Sequence, residues 1–183
     1  LHKRLNAYAL TATATAVGAL GLTQAAEARI VYTPVSVTMA SNDSYGLGFD
    51  LDLNHDGVVD FTLRDLSESN SVTSIANWWL SVHPATGNGA KGFGSGRRAS
   101  WASALKSGAR IGGGQRFPGK MMALIIKCFC SSGDTYVKGG WVNVKDRYLG
   151  LKFHIRGKVH YGWVRLSVSA RVGNITALLT GYA

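Results

Sequence analysis

The chain has 183 residues and a mass of 19.5 kDa, enough for one domain with its own core and too little for two comfortable ones. Hydrophobic residues make up 46% and charged residues 16%, which excludes a disordered polyelectrolyte and a coiled coil; 23 glycines against 3 prolines suit many short turns and exclude a collagen repeat or a proline-rich linker. A net charge of +10 at pH 7 points to polyanions as partners.

The chain opens on His2, Lys3 and Arg4, continues through an uncharged, mostly apolar run from Leu5 to Leu22, and reaches Ala26-Glu27-Ala28. A basic start, an apolar centre and a small-x-small exit are the three parts of a secretory signal peptide. Residues 1–28 are therefore expected to form a signal-peptide helix that is cleaved, leaving one domain over 29–183 and a secreted or extracytoplasmic location. The apolar run is rich in Ala, Thr and Gly and is marginal for a hydrocarbon core of about 30 Å. Met121 to Ile126 is too short to span one. No stable membrane span is expected after cleavage. Cleavage removes Lys3, Arg4 and Glu27 and leaves a strongly cationic body.

The remaining chain reads as strand after strand. Arg29 to Met39 is β-branched and aromatic, a first strand pair broken at Pro34. Ser41 to Ser44 is a turn. Phe49, Leu51 and Leu53 alternate with polar residues, and after a turn at 54–57 the alternation resumes at Val59, Phe61 and Leu63. Ser67 to Ser74 reads as a polar loop. Residues 85–100, dense in Gly, Ser, Lys and Arg, read as a long mobile surface loop, and Trp101 to Leu105 as a short helical turn. Met121 to Phe129, Leu149 to Ile155, Val159 to Val168 and Ile175 to Tyr182 are expected strands, with a hairpin at Arg156-Gly157-Lys158. No helical period of useful length follows the signal. Seven or eight strands in about 150 residues predict an all-β fold, an antiparallel β-sandwich of jelly-roll-like type.

The two cysteines are Cys128 and Cys130. In a regular strand they share a face about 6.5–7 Å apart, so a bridge between them requires a bend. Either a bridge or a pair of buried thiols fits this spacing, whereas a redox C-x-x-C or a four-ligand zinc site does not.

One motif carries chemistry: Asp52-Leu53-Asn54-His55-Asp56-Gly57-Val58-Val59-Asp60. Asp52, Asn54, Asp56 and Asp60 place oxygens at loop positions 1, 3, 5 and 9. Glycine at position 6 permits a sharp reversal, and the Val58 carbonyl is available at position 7. Calcium is a hard cation that takes about 6–8 oxygens, and it would offset the mutual repulsion of three carboxylates. Position 12 is Leu63 rather than the Glu of an EF-hand, and strands flank the loop. The expectation is a structural calcium ion tying a hairpin, with Asp50 on the same strand face as Asp52. An Asp/Asn-Gly turn with solvated carboxylates is the alternative. The loop resembles the D-x-N-x-D-G-x-x-D loops of exported β-rich proteins such as integrin-type propeller repeats, although a single copy makes no propeller.

Other candidates carry less. His55, His83, His154 and His160 show no zinc spacing, and His154 and His160 are placed to face each other across the 156–158 hairpin. Gly94-Ser95-Gly96 lacks the spacing of a nucleophile elbow, and Ile111 to Gln115 reads as a turn. The five tryptophans include Trp78, Trp79 and Trp101, which with Arg97 and Arg98 form a weak ligand-binding set for an acidic glycan. Packing in the core and its rim explains the same indoles.

Tyr148-Leu149-Gly150-Leu151-Lys152-Phe153, followed by His160-Tyr161-Gly162-Trp163-Val164-Arg165-Leu166, resembles a pattern shared by a group of uncharacterised exported bacterial proteins. In those the pattern follows an Asp-Leu-Asn-x-Asp-Gly-x-x-Asp-Phe loop, matched by Asp52 to Phe61, and ends near Gly181-Tyr182-Ala183. Some relatives continue into a PEP-CTERM-type sorting tail, which does not follow Ala183 in this sequence. The resemblance implies a secreted β-rich protein and transfers no catalytic residue.

Two functions compete on these residues. The first is a non-enzymatic secreted or surface module, holding calcium and binding an acidic polysaccharide or another cell-envelope polyanion without specific nucleic-acid recognition. The second is a hydrolase or lyase acting on an acidic polysaccharide. Outside the loop its acids would have to come from Asp43, Asp65, Glu68, Asp134 and Asp146, which show no pairing in the sequence.

Overall fold

The alternation of apolar and polar residues resolves into two sheets packed face to face. The structure, a computed structural model, describes residues 31–40, 48–94 and 100–183; the expected signal peptide, Asp43, Arg97 and Arg98 lie outside them. Among the described residues twelve strands follow in order: β1 (Thr33–Ala40), β2 (Gly48–Leu51), β3 (Phe61–Asn70), β4 (Ile75–Pro84), β5 (Gly89–Ala90), β6 (Gly92–Phe93), β7 (Trp101–Ala102), β8 (Met121–Cys128), β9 (Thr135–Lys138), β10 (Val144–Ile155), β11 (Lys158–Arg171) and β12 (Asn174–Tyr182). No helix occurs among the described residues, and none there is long and apolar enough to cross a membrane. Tyr32–Ala183 forms one compact unit.

The first sheet runs β1-β12-β11-β10-β5 and the second β2-β3-β4-β8-β7-β6, with β9 paired on β8. All these pairs are antiparallel except β7 with β8. Period-two patterning sends Leu63, Leu80 and Val82 inward from the second sheet and Val164, Leu166, Ile175 and Leu179 inward from the first, all fully buried. β12 lies against β3 and β4, and β11 against β8. Each such side chain contributes about 1.5–3 kcal/mol by leaving water. The expected antiparallel β-sandwich is what these residues form.

Several local expectations give way to pairing. The stretch from Ser67 is not a loop: β3 continues to Asn70, and the chain reverses only at 71–74, where the Asn70 carboxamide oxygen accepts the Val72 and Thr73 amides at 2.9 and 3.1 Å. A polar strand persists there because the hairpin with β4 supplies its hydrogen bonds. β1 is a single strand with a bulge between Pro34 and Val37, and Pro34 is tolerated because β1 is an edge. Residues 101–105 make no helical turn: Trp101–Ala102 is a strand beside Met121, and Leu105 bridges Tyr148.

The expected mobile loop at 85–100 is, over its described part, the crossing between sheets. Gly89–Ala90 pairs with β10 of the first sheet and Gly92–Phe93 with β7 of the second. A Cβ on Gly92 would collide with the Trp101 carbonyl, so the glycine serves close backbone approach here.

Arg156 and Gly157 form the two-residue turn between β10 and β11, with φ of 49° and 76°. Its register sets His154 opposite Val159 and Phe153 opposite His160, so the two histidines occupy opposite faces and do not form the expected cross-strand pair. Cys128 and Cys130 are bridged, with Cα atoms 5.2 Å apart. The required bend exists because β8 ends at Cys128 and the chain turns.

Candidate metal site

The Asp52–Asp60 segment is the connection between β2 and β3, and its residues divide between inside and outside. Leu51 and Leu53 point into the core, while Asp52 and Asn54 are half-buried and the run from His55 to Val59 is exposed. Two left-handed residues, His55 at φ 58° and Gly57 at φ 84°, bend the backbone around the outward oxygens. Only glycine takes the second of these conformations without strain.

The loop's acceptors are filled by its own amides. Asp52 Oδ1 accepts the Asp56 amide at 3.2 Å, and Oδ2 accepts the Gly57 amide at 2.8 Å. Asn54 Oδ1 also accepts the Asp56 amide at 3.1 Å, and the Asn54 side-chain amide donates to Asp56 Oδ2 at 2.9 Å. Asp56 Oδ1 accepts the Val58 amide at 2.9 Å. Burial works against the charge on Asp52. The amides of Gly57, Asp56 and His55, aided by the His55 charge, outweigh it and hold the carboxyl below its ordinary range.

Asp60 faces the other way. It is 7% exposed, and its Oδ2 accepts the Leu53 amide at 3.0 Å. Its Oδ1 and its carbonyl oxygen both accept from the Asn88 side-chain amide at 3.2 Å, and the carbonyl also takes the Ala85 amide at 2.9 Å. Burial raises the Asp60 carboxyl above its ordinary value; the Leu53 and Asn88 donors pull it down, and the charges of Asp52 and Asp56 push it further up. Three like charges thus share one nine-residue loop.

The expected ligand set is therefore only partly brought together. Asp52, Asn54 and Asp56 share one side of the loop, with Val58 exposed beside them, whereas Asp60 is committed to the interior. Among the described residues no group of three or more His, Cys, Asp or Glu side chains is arranged to hold a metal ion. Asp50, the possible addition, accepts the Thr62 hydroxyl at 2.7 Å. The donor chemistry, two carboxylates with a carboxamide and a backbone carbonyl, suits a hard cation that completes its shell with water.

The tryptophan set is dispersed. Trp78 points into the core, Trp79 is half-buried on the opposite face of β4, and Trp101 is buried with the Lys138 ammonium 5.4 Å from its ring centroid. Strand alternation accounts for the split, since neighbours in a strand take opposite faces. Asn88 lies 28 residues from the Asp60 it holds, and no local pattern marks it. An aromatic group on the outer side of the first sheet, Tyr32, Trp163 and Tyr148, has as its one sequence signal the shared parity of Trp163 and Arg165 on β11. Of the acids weighed for an enzyme, Asp65 is buried on β3 and Glu68 is exposed on the same strand. Asp134 lies in the β8–β9 turn, and Asp146 is on β10 of the other sheet. No protein-family model matches the chain, and neither the curated proteins nor the solved structures searched contain a match to it.

Proposed function

We propose that this chain is a secreted, non-enzymatic β-sandwich module whose β2–β3 loop takes a structural calcium ion and whose cationic body binds a polyanion of the cell envelope or matrix, an acidic polysaccharide. One observation carries the calcium reading: Asp52, Asn54 and Asp56 crowd one side of a tight loop in which the neighbouring charges acting on Asp60 are repulsive ones from Asp52 and Asp56. A divalent cation held by the Asp52 and Asp56 carboxylates, the Asn54 carboxamide and the Val58 carbonyl would relieve that repulsion. Asp60 supports the loop from within.

Two carboxylates and several waters make a weak site, in the range of about 10⁻⁴ to 10⁻³ M that suits extracellular modules. The export reading rests on the residue pattern at 1–28 and agrees with that affinity.

Melting temperature measured in chelator and then in rising calcium tests the reading. At a hundredfold excess over Kd the gain is about 2.7 kcal/mol, or roughly 5–10 °C for a domain of this size. Magnesium at the same concentration should give much less, because it accepts an irregular, partly backbone site poorly. A melting temperature indifferent to calcium up to tens of millimolar would refute the calcium loop.

A further inference from the structure

The outer face of the first sheet carries a second constellation. On β10 and β11 the core takes Leu149, Leu151, Val164 and Leu166, so Tyr148, Lys152, Tyr161, Trp163 and Arg165 occupy the opposite face. Register sets Tyr148 beside Arg165, Gly150 beside Trp163 and Lys152 beside Tyr161, which alternates rings and cations along one ribbon. Tyr32 stacks on Trp163 at 5.8 Å and 26°, and Tyr148 meets the same indole edge-on at 5.2 Å. Gly181 makes that stack possible, because a Cβ there would lie 2.5 Å from the Tyr32 ring. The Thr180 hydroxyl accepts from Arg165 Nε at 2.7 Å and fixes the guanidinium.

The segment from Lys106 to Ile111 walls a cleft of about 190 Å³ against Tyr148 and Trp163, with Lys106 in its lining. Drug-sized sites run to about 300–1,000 Å³, so this cleft has room for one ring of a longer ligand that lies on the open face. Charge is distributed accordingly. The strands of the first sheet carry Lys145, Arg147, Lys152, Lys158, Arg165 and Arg171 against Asp146 alone, and of these Lys152, Arg165 and Arg171 share the outer parity of Trp163 while Arg147 and Lys158 pair with the core-side Leu166 and Ile155. Those of the second balance Arg64, Lys127 and Lys138 with Asp50, Asp65 and Glu68.

We infer that this outer face is the binding surface for an acidic polysaccharide, with one sugar seated in the Tyr148–Trp163 cleft and its carboxylate met by Lys106 and Arg165. A sugar ring offers an apolar C–H face to an aromatic wall and hydroxyls to polar side chains such as Thr180, which lies beside Arg165. A lipid surface would call for contiguous aliphatic exposure, whereas the cleft sets Ala109 and Ile111 among Lys106, Ser107 and the two rings of Tyr148 and Trp163. A nucleic-acid base would use the same ring faces as a sugar, and the oligonucleotide arm of the binding test separates the two. This inference rests on the polyanion-binding part of the proposed function and is independent of the calcium loop.

The test is equilibrium binding of the full chain, in chelator and at fixed salt, to polygalacturonate and alginate. Neutral dextran, a dT oligonucleotide and phosphatidylglycerol vesicles serve as the other arms. Polyuronate binding with a shift of indole emission, weakened about tenfold by Trp163→Ala and by Arg165→Ala and unchanged by Lys127→Ala on the other sheet, is the expected result. Tyr32→Ala, at an exposed position just before the edge strand β1, should weaken binding severalfold and covers the case in which Trp163→Ala does not fold. Polyuronate binding indifferent to Trp163→Ala, Arg165→Ala and Tyr32→Ala overturns the location while leaving polyanion binding standing. Equal or tighter binding of the oligonucleotide or the vesicles with the same residue dependence overturns the ligand class. Absence of binding to every polyanion overturns this inference together with the proposal beneath it.

Discussion

The Asp60 carboxylate reaches back across its own loop to accept the amide of Leu53 at 3.0 Å, tying the entrance of the β2–β3 connection to its exit. That bond is buried, whereas the bonds among Asp52, Asn54 and Asp56 are exposed. The same residue type thus serves two ends, loop closure inside and charge density outside.

Removing each kind should therefore cost differently. Asp60→Ala leaves a buried amide without its acceptor and is expected to lower unfolding free energy by about 1–3 kcal/mol with or without calcium. Asp56→Ala in chelator should change it by less than about 1 kcal/mol, because its partners reach water. Urea unfolding of the two variants in chelator decides the matter. Equal losses would show that Asp60 has no special structural part.

Acidity offers an independent view. Asp60's folded carboxyl is raised, so the folded state holds the proton more tightly than the unfolded state. In chelator, its contribution to stability should grow as pH falls toward the ordinary carboxylate value. Asp52 is lowered, and its contribution is lost only when pH drops below that value, through its folded pKa. His83 acts earlier. Burial, then the Arg64 and Lys120 charges, lowers its folded pKa, so stability is lost as pH falls from about 6.5 toward that lower value. A His83→Gln variant should flatten the stability profile in that upper window and leave the carboxylate region alone. Superimposable profiles between pH 5 and 7 would contradict the assignment.

The adjacent tryptophans give the clearest contrast in packing. Trp78, 9% exposed and facing the core, should cost about 3–5 kcal/mol when changed to alanine. Trp79, half-buried on the other side of β4, should cost about half that or less. Denaturant midpoints measured side by side would reveal a wrong strand register if the order were reversed, since a shift of one residue exchanges the two faces.

The disulfide closes a very short loop. Constraining so few residues in the unfolded chain is worth about 1–2 kcal/mol in the chain-entropy account. Cys128→Ser with Cys130→Ser should therefore leave a folded domain that melts only a few degrees lower. Failure of the double variant to fold would assign the bridge a larger part than its span permits.

The fold class was legible because it depends on alternation: Phe61, Leu63, Val164, Leu166, Ile175 and Leu179 announce their faces locally. What escaped was set by distant partners. Ser67 to Asn70 is polar enough to pass for a loop, and only pairing with Ile75 to Trp78 makes it strand. The glycines at 89 and 92 suggest flexibility in sequence, yet they mark where backbones cross at close range, which no local pattern encodes. The metal motif was legible in composition, but the turning of Asp60 toward Asn88 depends on a residue 28 positions away. The Tyr32–Trp163–Tyr148 group joins the first described strand to the last hairpins and becomes visible only once β1 lies on β12.

Calorimetric titration of calcium into the chelator-stripped full chain tests the central claim most directly. The account predicts one site per chain with a Kd of about 10⁻⁴ to 10⁻³ M, lost in Asp52→Asn and in Asp56→Ala and retained in Asp146→Asn. No saturable calcium uptake, or uptake that survives both loop substitutions, would contradict it.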